Sequence, residues 1–127
     1  MTSNKLSVII NKPVATVFEL SLNPKNTPKW IDAIIKEETN EWPVKKGTKY
    51  RNSNKNGEWS EYLVAELIDN KIFELHQTNG KYRVRYTFRP VNEKTTELEY
   101  FEWVDNGDLE QIFTMNPLQK LKRLIEN

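Results

Sequence analysis

Along Tyr82-Arg83-Val84-Arg85-Tyr86-Thr87-Phe88-Arg89 apolar and polar residues alternate without a break. A period of two is the signature of an extended strand, because successive side chains leave a strand on opposite faces. Tyr82, Val84, Tyr86 and Phe88 therefore share one face, and three arginines with Thr87 share the other. A strand with one oily and one charged face belongs to an antiparallel sheet covered on one side and wet on the other. Pro90 is expected to end this strand, Val91 to Lys94 to turn the chain, and Thr95 to Val104 to return. The rest of the sequence reads as further strands beside this pair, or as cover for its oily face.

In chain order, Lys5 to Asn11 is a first strand carrying β-branched bulk. Pro13 opens a short amphipathic helix to Leu22, with Val14, Val17, Phe18 and Ser21 at helical spacing. Asn23-Pro24 breaks it, and Thr27-Pro28 with Trp30, Ile31 and Ile34 marks one or two further turns. Strands follow at Ile34–Asn40, Thr48–Ser53, Glu58–Ile68 and Lys71–Thr78. Asn56-Gly57 and Asn79-Gly80 are read as type I′ hairpin turns. Hairpin after hairpin without an intervening helix is a meander. After Asp105-Asn106-Gly107, Leu118, Leu121, Leu124 and Ile125 share one face of a final helix, with Asn116 as its cap and Pro117 in its first turn. Leu109 to Met115 is either an earlier helical segment or an irregular approach to it.

The 127 residues fit one domain, residues 1–127, with 37% hydrophobic residues and fourteen aromatics to build a core. A net charge of +1 gives no electrostatic argument for nucleic acid. No apolar run approaches membrane-spanning length, and the first residues lack the apolar middle of a signal peptide. With no cysteine there is neither a disulfide framework nor thiol chemistry, and the expected location is the cytoplasm.

One strand, two short helices, a six-strand meander and a last helix is the order of the helix-grip fold. The chain resembles the START/Bet v 1-like (SRPBCC) superfamily in its bacterial polyketide cyclase/dehydrase-like branch. The resemblance rests on Ile10-Asn11-Lys12-Pro13-Val14-Ala15-Thr16-Val17-Phe18 and on Asn23-Pro24-Lys25-Asn26-Thr27-Pro28-Lys29-Trp30. Gly47, Tyr86-Thr87-Phe88-Arg89-Pro90 with Thr96-Glu97-Leu98, and Leu118-Gln119-Lys120-Leu121-Lys122 with Glu126 add to it. It implies an α+β fold, a curved seven-stranded antiparallel sheet in the order β-α-α-β6-α gripping a C-terminal helix over a cavity. It also implies a function: members bind lipids, sterols, hormones, quinones and polyketide intermediates, and some are cyclases, dehydratases or co-chaperones. Pro117 departs from the pattern and shortens or kinks the last helix.

Candidate chemistry is sparse. His76, the single histidine, alternates onto the polar face. One histidine and no cysteine leave no metal set, and Glu37, Glu38 and Glu41 read as solvated. No nucleophile elbow and no glycine-rich phosphate loop occurs, and no cofactor is expected. Arg83, Arg85 and Arg89 form an exposed basic stripe paired in part with glutamates on neighbouring strands. Trp30, Tyr50, Trp59, Tyr62, Tyr86, Phe88, Tyr100 and Phe113 are read as core aromatics, and a buried tyrosine needs a partner for its hydroxyl. Glu102 has two readings. Strict alternation with Leu98 and Tyr100 turns it inward as a ligand-orienting or acid–base group, whereas a bulge or strand end leaves it wet. The expected function is binding of a small, largely apolar molecule (lipid, polyketide or aromatic) between sheet and C-terminal helix. Its ligand-binding residues are Tyr50, Tyr62, Tyr86, Phe88, Leu98, Tyr100, Glu102 and Phe113. A cyclase or dehydratase, or a co-chaperone-like module, is the alternative. The sequence reads more as a binding protein, a monomer or weak homodimer, than as an enzyme.

Overall fold

The computed structural model describes residues 1–127. The elements run β1 (Thr2–Ile10), α1 (Val14–Leu22), α2 (Thr27–Trp30), β2 (Lys36–Thr39), β3 (Lys49–Ser53), β4 (Trp59–Ile68), β5 (Ile72–Gln77), β6 (Arg83–Asn92), β7 (Thr95–Val104) and α3 (Met115–Glu126). All seven strands form one sheet in the order β1-β7-β6-β5-β4-β3-β2, with every pairing antiparallel. The meander from β2 to β7 and the return of β1 beside β7 give the helix-grip arrangement.

The central hairpin alternates as its sequence requires. Val84, Tyr86 and Phe88 of β6 are buried, and along β7 every second residue from Thr96 to Val104 is buried. Leu118, Leu121 and Ile125 of α3 join these residues in one core cluster, which also holds Val17, Phe18 and Leu22 of α1 and Trp30 of α2. Leu118 and Leu121 are fully buried. Truncating either to alanine is worth about 3 kcal/mol of stability.

Local departures have simple causes. Pro90 does not end β6: it pairs with Thr96, and the register shifts between Pro90 and Asn92. A proline is tolerated at such an irregularity, where a ladder bond is already lost. At Asn56-Gly57 only the glycine has positive φ, 76°, so the turn is not type I′. Asn54 organises it instead, its Oδ1 accepting from the N–H groups of Asn56 and Glu58 at 2.9 and 3.0 Å. Neither Asn79 nor Gly80 has positive φ, because residues 78–81 form a longer connection closed by Gln77 N–H donating to Tyr82 O at 2.9 Å. The final helix starts earlier than expected, with Thr114 rather than Asn116 as its cap, and residues 109–114 approach it irregularly. Pro117 sits in its first turn, and the helix is short at 12 residues.

On the outer face, Arg85 pairs with Glu74 at 2.6 Å, and Arg89 reaches Glu99 and Glu97. Arg83 donates to backbone carbonyls of Gln77, Gly80 and Tyr82. His76 lies beside Glu74 at 2.6 Å and edge-on to Trp103. Trp59 is exposed rather than core, because it lies on the outer side under the Arg51 guanidinium, 4.3 Å from the ring centroid.

Candidate functional site, a tyrosine-walled cavity

All five tyrosines of the chain, Tyr50, Tyr62, Tyr82, Tyr86 and Tyr100, line one cavity. Register explains the gathering. Tyr50 stands opposite Tyr62 across β3 and β4, and Tyr86 opposite Tyr100 across β6 and β7. Phe73 of β5 lies opposite Tyr86 and joins the two pairs. Their rings meet edge-on or tilted, with centroids 5.2 to 5.4 Å apart for Tyr50–Phe73, Phe73–Tyr86 and Tyr86–Tyr100. The opposite wall is Ser21 of α1, Thr27 of α2, and Ile31 and Ile34 on the way to β2. Glu37 of β2 and Asn52 of β3 complete the polar lining.

The cavity therefore lies under α1, α2 and β2, not under the C-terminal helix as the sequence led one to expect. No residue of α3 lines it. The reason is packing: Leu118, Leu121 and Ile125 occupy the space that α3 covers, and Phe113 stacks on Tyr100 at 4.0 Å between centroids. The space measures about 70 Å³. That is well short of the ~300 Å³ at which pockets for drug-sized ligands begin.

Of the expected ligand-binding residues, Tyr50, Tyr62, Tyr86 and Tyr100 come together on the wall. Phe88 and Leu98 do not reach it. They are buried deeper, Phe88 edge-on to Phe18 at 5.0 Å. Glu102 points inward, 1% exposed, with no bulge in its strand, so unbroken alternation decides between its two readings. It does not line the cavity. Its carboxylate is occupied, Oε2 accepting from Asn4 Nδ2 at 2.9 Å and Phe113 N–H at 2.7 Å, and Oε1 from Tyr82 O–H at 2.6 Å. Asn4 stands directly opposite Glu102 in the β1–β7 ladder and also donates to Phe113 O at 3.0 Å. Together they fasten the approach to α3 onto the sheet. Such a carboxylate needs no cation, because its donors replace the water it lost.

With the Tyr82 proton given to Glu102, the 2.7 Å contact between Tyr82 and Tyr100 hydroxyls has Tyr100 as donor. Burial, and for Tyr82 the carboxylate it serves, pushes the Tyr82 phenol well above its ordinary range. Tyr100 is raised by burial and by Tyr82, and Tyr86 by burial above all. These phenols stay protonated as hydrogen-bond donors. Tyr50 spends its proton on Leu22 O at 2.7 Å. Tyr86 has no hydrogen-bond partner in the protein, although it is only 6% exposed. Ser21 Oγ is likewise buried without a partner, as is Trp30 Nε1 deeper in the core.

Sequence reasoning placed Glu37 in water, and the structure corrects this. It is partly buried on the cavity wall, its Oε1 accepting from Thr27 Oγ1 at 2.5 Å and its Oε2 from Asn52 Nδ2 at 3.1 Å. Asn52 is its direct partner across the β2–β3 ladder. Burial raises its pKa, against the lowering by these two hydrogen bonds. Asn4, Asn52, Thr27 and Ser21 were also missed. Asn4 was within reach of the pattern, since stepping back by two from Leu6, Val8 and Ile10 lands on it. An open groove between β1 and α3, at Ser7, Ile9, Gln119, Lys122 and Arg123, is shallower in chemistry. There Lys122 is already committed to Glu126 and Ile9 O.

Similarity to other proteins agrees with this geometry. XoxI from Bacillus cereus superposes with a TM-score of 0.75 at 16% identity, covering 98% of this chain and 96% of that one. A START superfamily protein from Mycobacterium smegmatis gives 0.70 at 14%, with 98% and 94% covered. The Polyketide_cyc-like protein Cgl2372 from Corynebacterium glutamicum gives 0.59 at 23%, with 83% and 67% covered. At such identities these likenesses establish the fold, that of the START/Bet v 1-like superfamily. No curated protein matches. Residues 31–121 match the family model for a domain of unknown function, DUF3284, and over that span, which carries β2 to β7 and every tyrosine of the cavity, the chain belongs to that family.

Proposed function

We propose that the protein is a single-domain binder of a small molecule, held in the tyrosine-walled cavity. One observation carries this reading: Tyr86, only 6% exposed, lines that cavity beside the buried, unpartnered Ser21 Oγ, and its own hydroxyl makes no hydrogen bond within the protein. A buried hydroxyl without a partner, as at Ser21, costs about 1–3 kcal/mol, which a ligand's polar group offsets on binding. The surrounding rings supply the apolar contact, worth on the order of 25 cal/mol per Å² removed from water. The ligand is largely apolar with at least one polar group. About 70 Å³ suits a short chain or a small ring better than a lipid or an extended polyketide. Glu102 contributes indirectly, by holding Tyr82 and through it the Tyr100 hydroxyl.

Native mass spectrometry on gently purified protein tests the reading. The expected result is an excess mass that disappears on denaturation and falls in a Tyr86→Phe variant. A bare chain in every preparation, with Ser21 and Tyr86 resonances unmoved by a panel of small phenols and ketones, would overturn it.

A further inference from the structure

Glu37 is the only acidic or basic side chain on the cavity wall, and no lysine, arginine or histidine lines it. No neighbouring cation acts on its carboxylate. A carboxylate offers about four acceptor sites, and Thr27 and Asn52 fill two. Ser21, on the same wall and only 4% exposed, adds a hydroxyl with no partner. Five tyrosines line the same cavity, and aromatic faces attract positive charge.

We propose that the cavity selects a small organic cation, an ammonium or amidinium-type head on a short apolar body, with Glu37 as its counter-ion. This rests on the binding reading above and narrows it to a ligand class. The head donates to the free acceptor sites of Glu37 and to Ser21 Oγ, and the body packs against Tyr86 and Phe73. A carboxylate or phosphate ligand would face Glu37 with no cation to offset the repulsion. A purely apolar ligand would strip water from Glu37 and give nothing in return. Burial already raises the pKa of Glu37, and a bound cation reverses that cost.

Three probes of one shape separate the outcomes: propylamine hydrochloride, 1-propanol and sodium propionate, each titrated at neutral pH. The backbone amide signals of Ser21, Glu37 and Asn52 report occupancy. The amine is expected to saturate about tenfold more tightly than the alcohol, and propionate not to bind. Glu37→Gln should erase the amine's advantage over the alcohol. If that variant fails to fold, the amine-to-alcohol ratio in the wild-type protein decides alone. Equal binding of amine and alcohol, or preference for propionate, overturns the cation assignment and leaves the cavity reading standing. Silence from all three probes removes both.

Discussion

Glu102 and Glu37 are two carboxylates withdrawn from water on the same sheet, and they are withdrawn in different ways. Glu102 sits in a central pair of long strands, opposite Asn4 and Val84, with three donors fixed on it by register and by the approach to α3. Glu37 sits in the four-residue edge strand β2, has two donors, and opens on a cavity. The first is a structural acceptor whose removal strands its donors. The second keeps unused acceptor sites, and unused acceptors beside a cavity are what a ligand finds. A buried charge reads as structure when its hydrogen bonds are complete and as recognition when they are not.

The largest expected effect breaks the comparison at its structural end. Glu102→Ala takes the acceptor from Phe113 N–H, removes one partner each from Tyr82 O–H and Asn4 Nδ2, and opens a void, costing about 4 kcal/mol. Glu37→Ala, at a partly open site with two donors, should cost about 1 kcal/mol. Urea midpoints of the two variants measure the contrast, and equal losses would show that the difference in satisfaction has no energetic weight.

Next in size is a pair of hydroxyl deletions. Tyr82→Phe removes a link that donates to Glu102 and accepts from Tyr100, and should cost about 1.5 kcal/mol. Tyr86→Phe removes a hydroxyl that serves no protein group, so stability should hold or rise by less than about 1 kcal/mol. Thermal unfolding of both separates a structural tyrosine from a binding one.

The smallest effect is a pH dependence. Burial raises the folded-state pKa of Glu37 above its unfolded value, so within that window the folded chain holds more protons than the unfolded one. Stability from this group therefore falls as pH rises from the ordinary carboxylate range through the raised value, and is level below it. Glu37→Gln should remove that slope, so the variant gains on the wild type as pH rises toward neutral. Unfolding free energies at several pH values between 4 and 7 measure it. A constant difference across the window would show that Glu37 titrates as an exposed side chain.

The fold was legible because its signals are local. The alternation from Tyr82 to Phe88 and from Thr96 to Val104, the Pro13 and Pro28 helix starts, and the face of Leu118, Leu121 and Ile125 each reflect geometry within a few residues. Tyr50, Tyr62, Tyr86 and Tyr100 were all expected at the cavity, Tyr86 and Tyr100 on the strength of this alternation. Tyr82 was on the right face but outside the expected site, because its role depends on Glu102, twenty residues away.

What the sequence by itself determined was the period of each strand, the order of the elements and the inward set of the central hairpin, since backbone geometry fixes which side chains share a face. Tertiary structure alone decided where the cavity lies, how small it is, and which of two carboxylates is left with acceptors to spare. Those depend on the β2–β3 register that seats Glu37 opposite Asn52, and on an α3 whose leucines fill the core beneath it. Each is a contact between residues distant in the chain, and no local period encodes it.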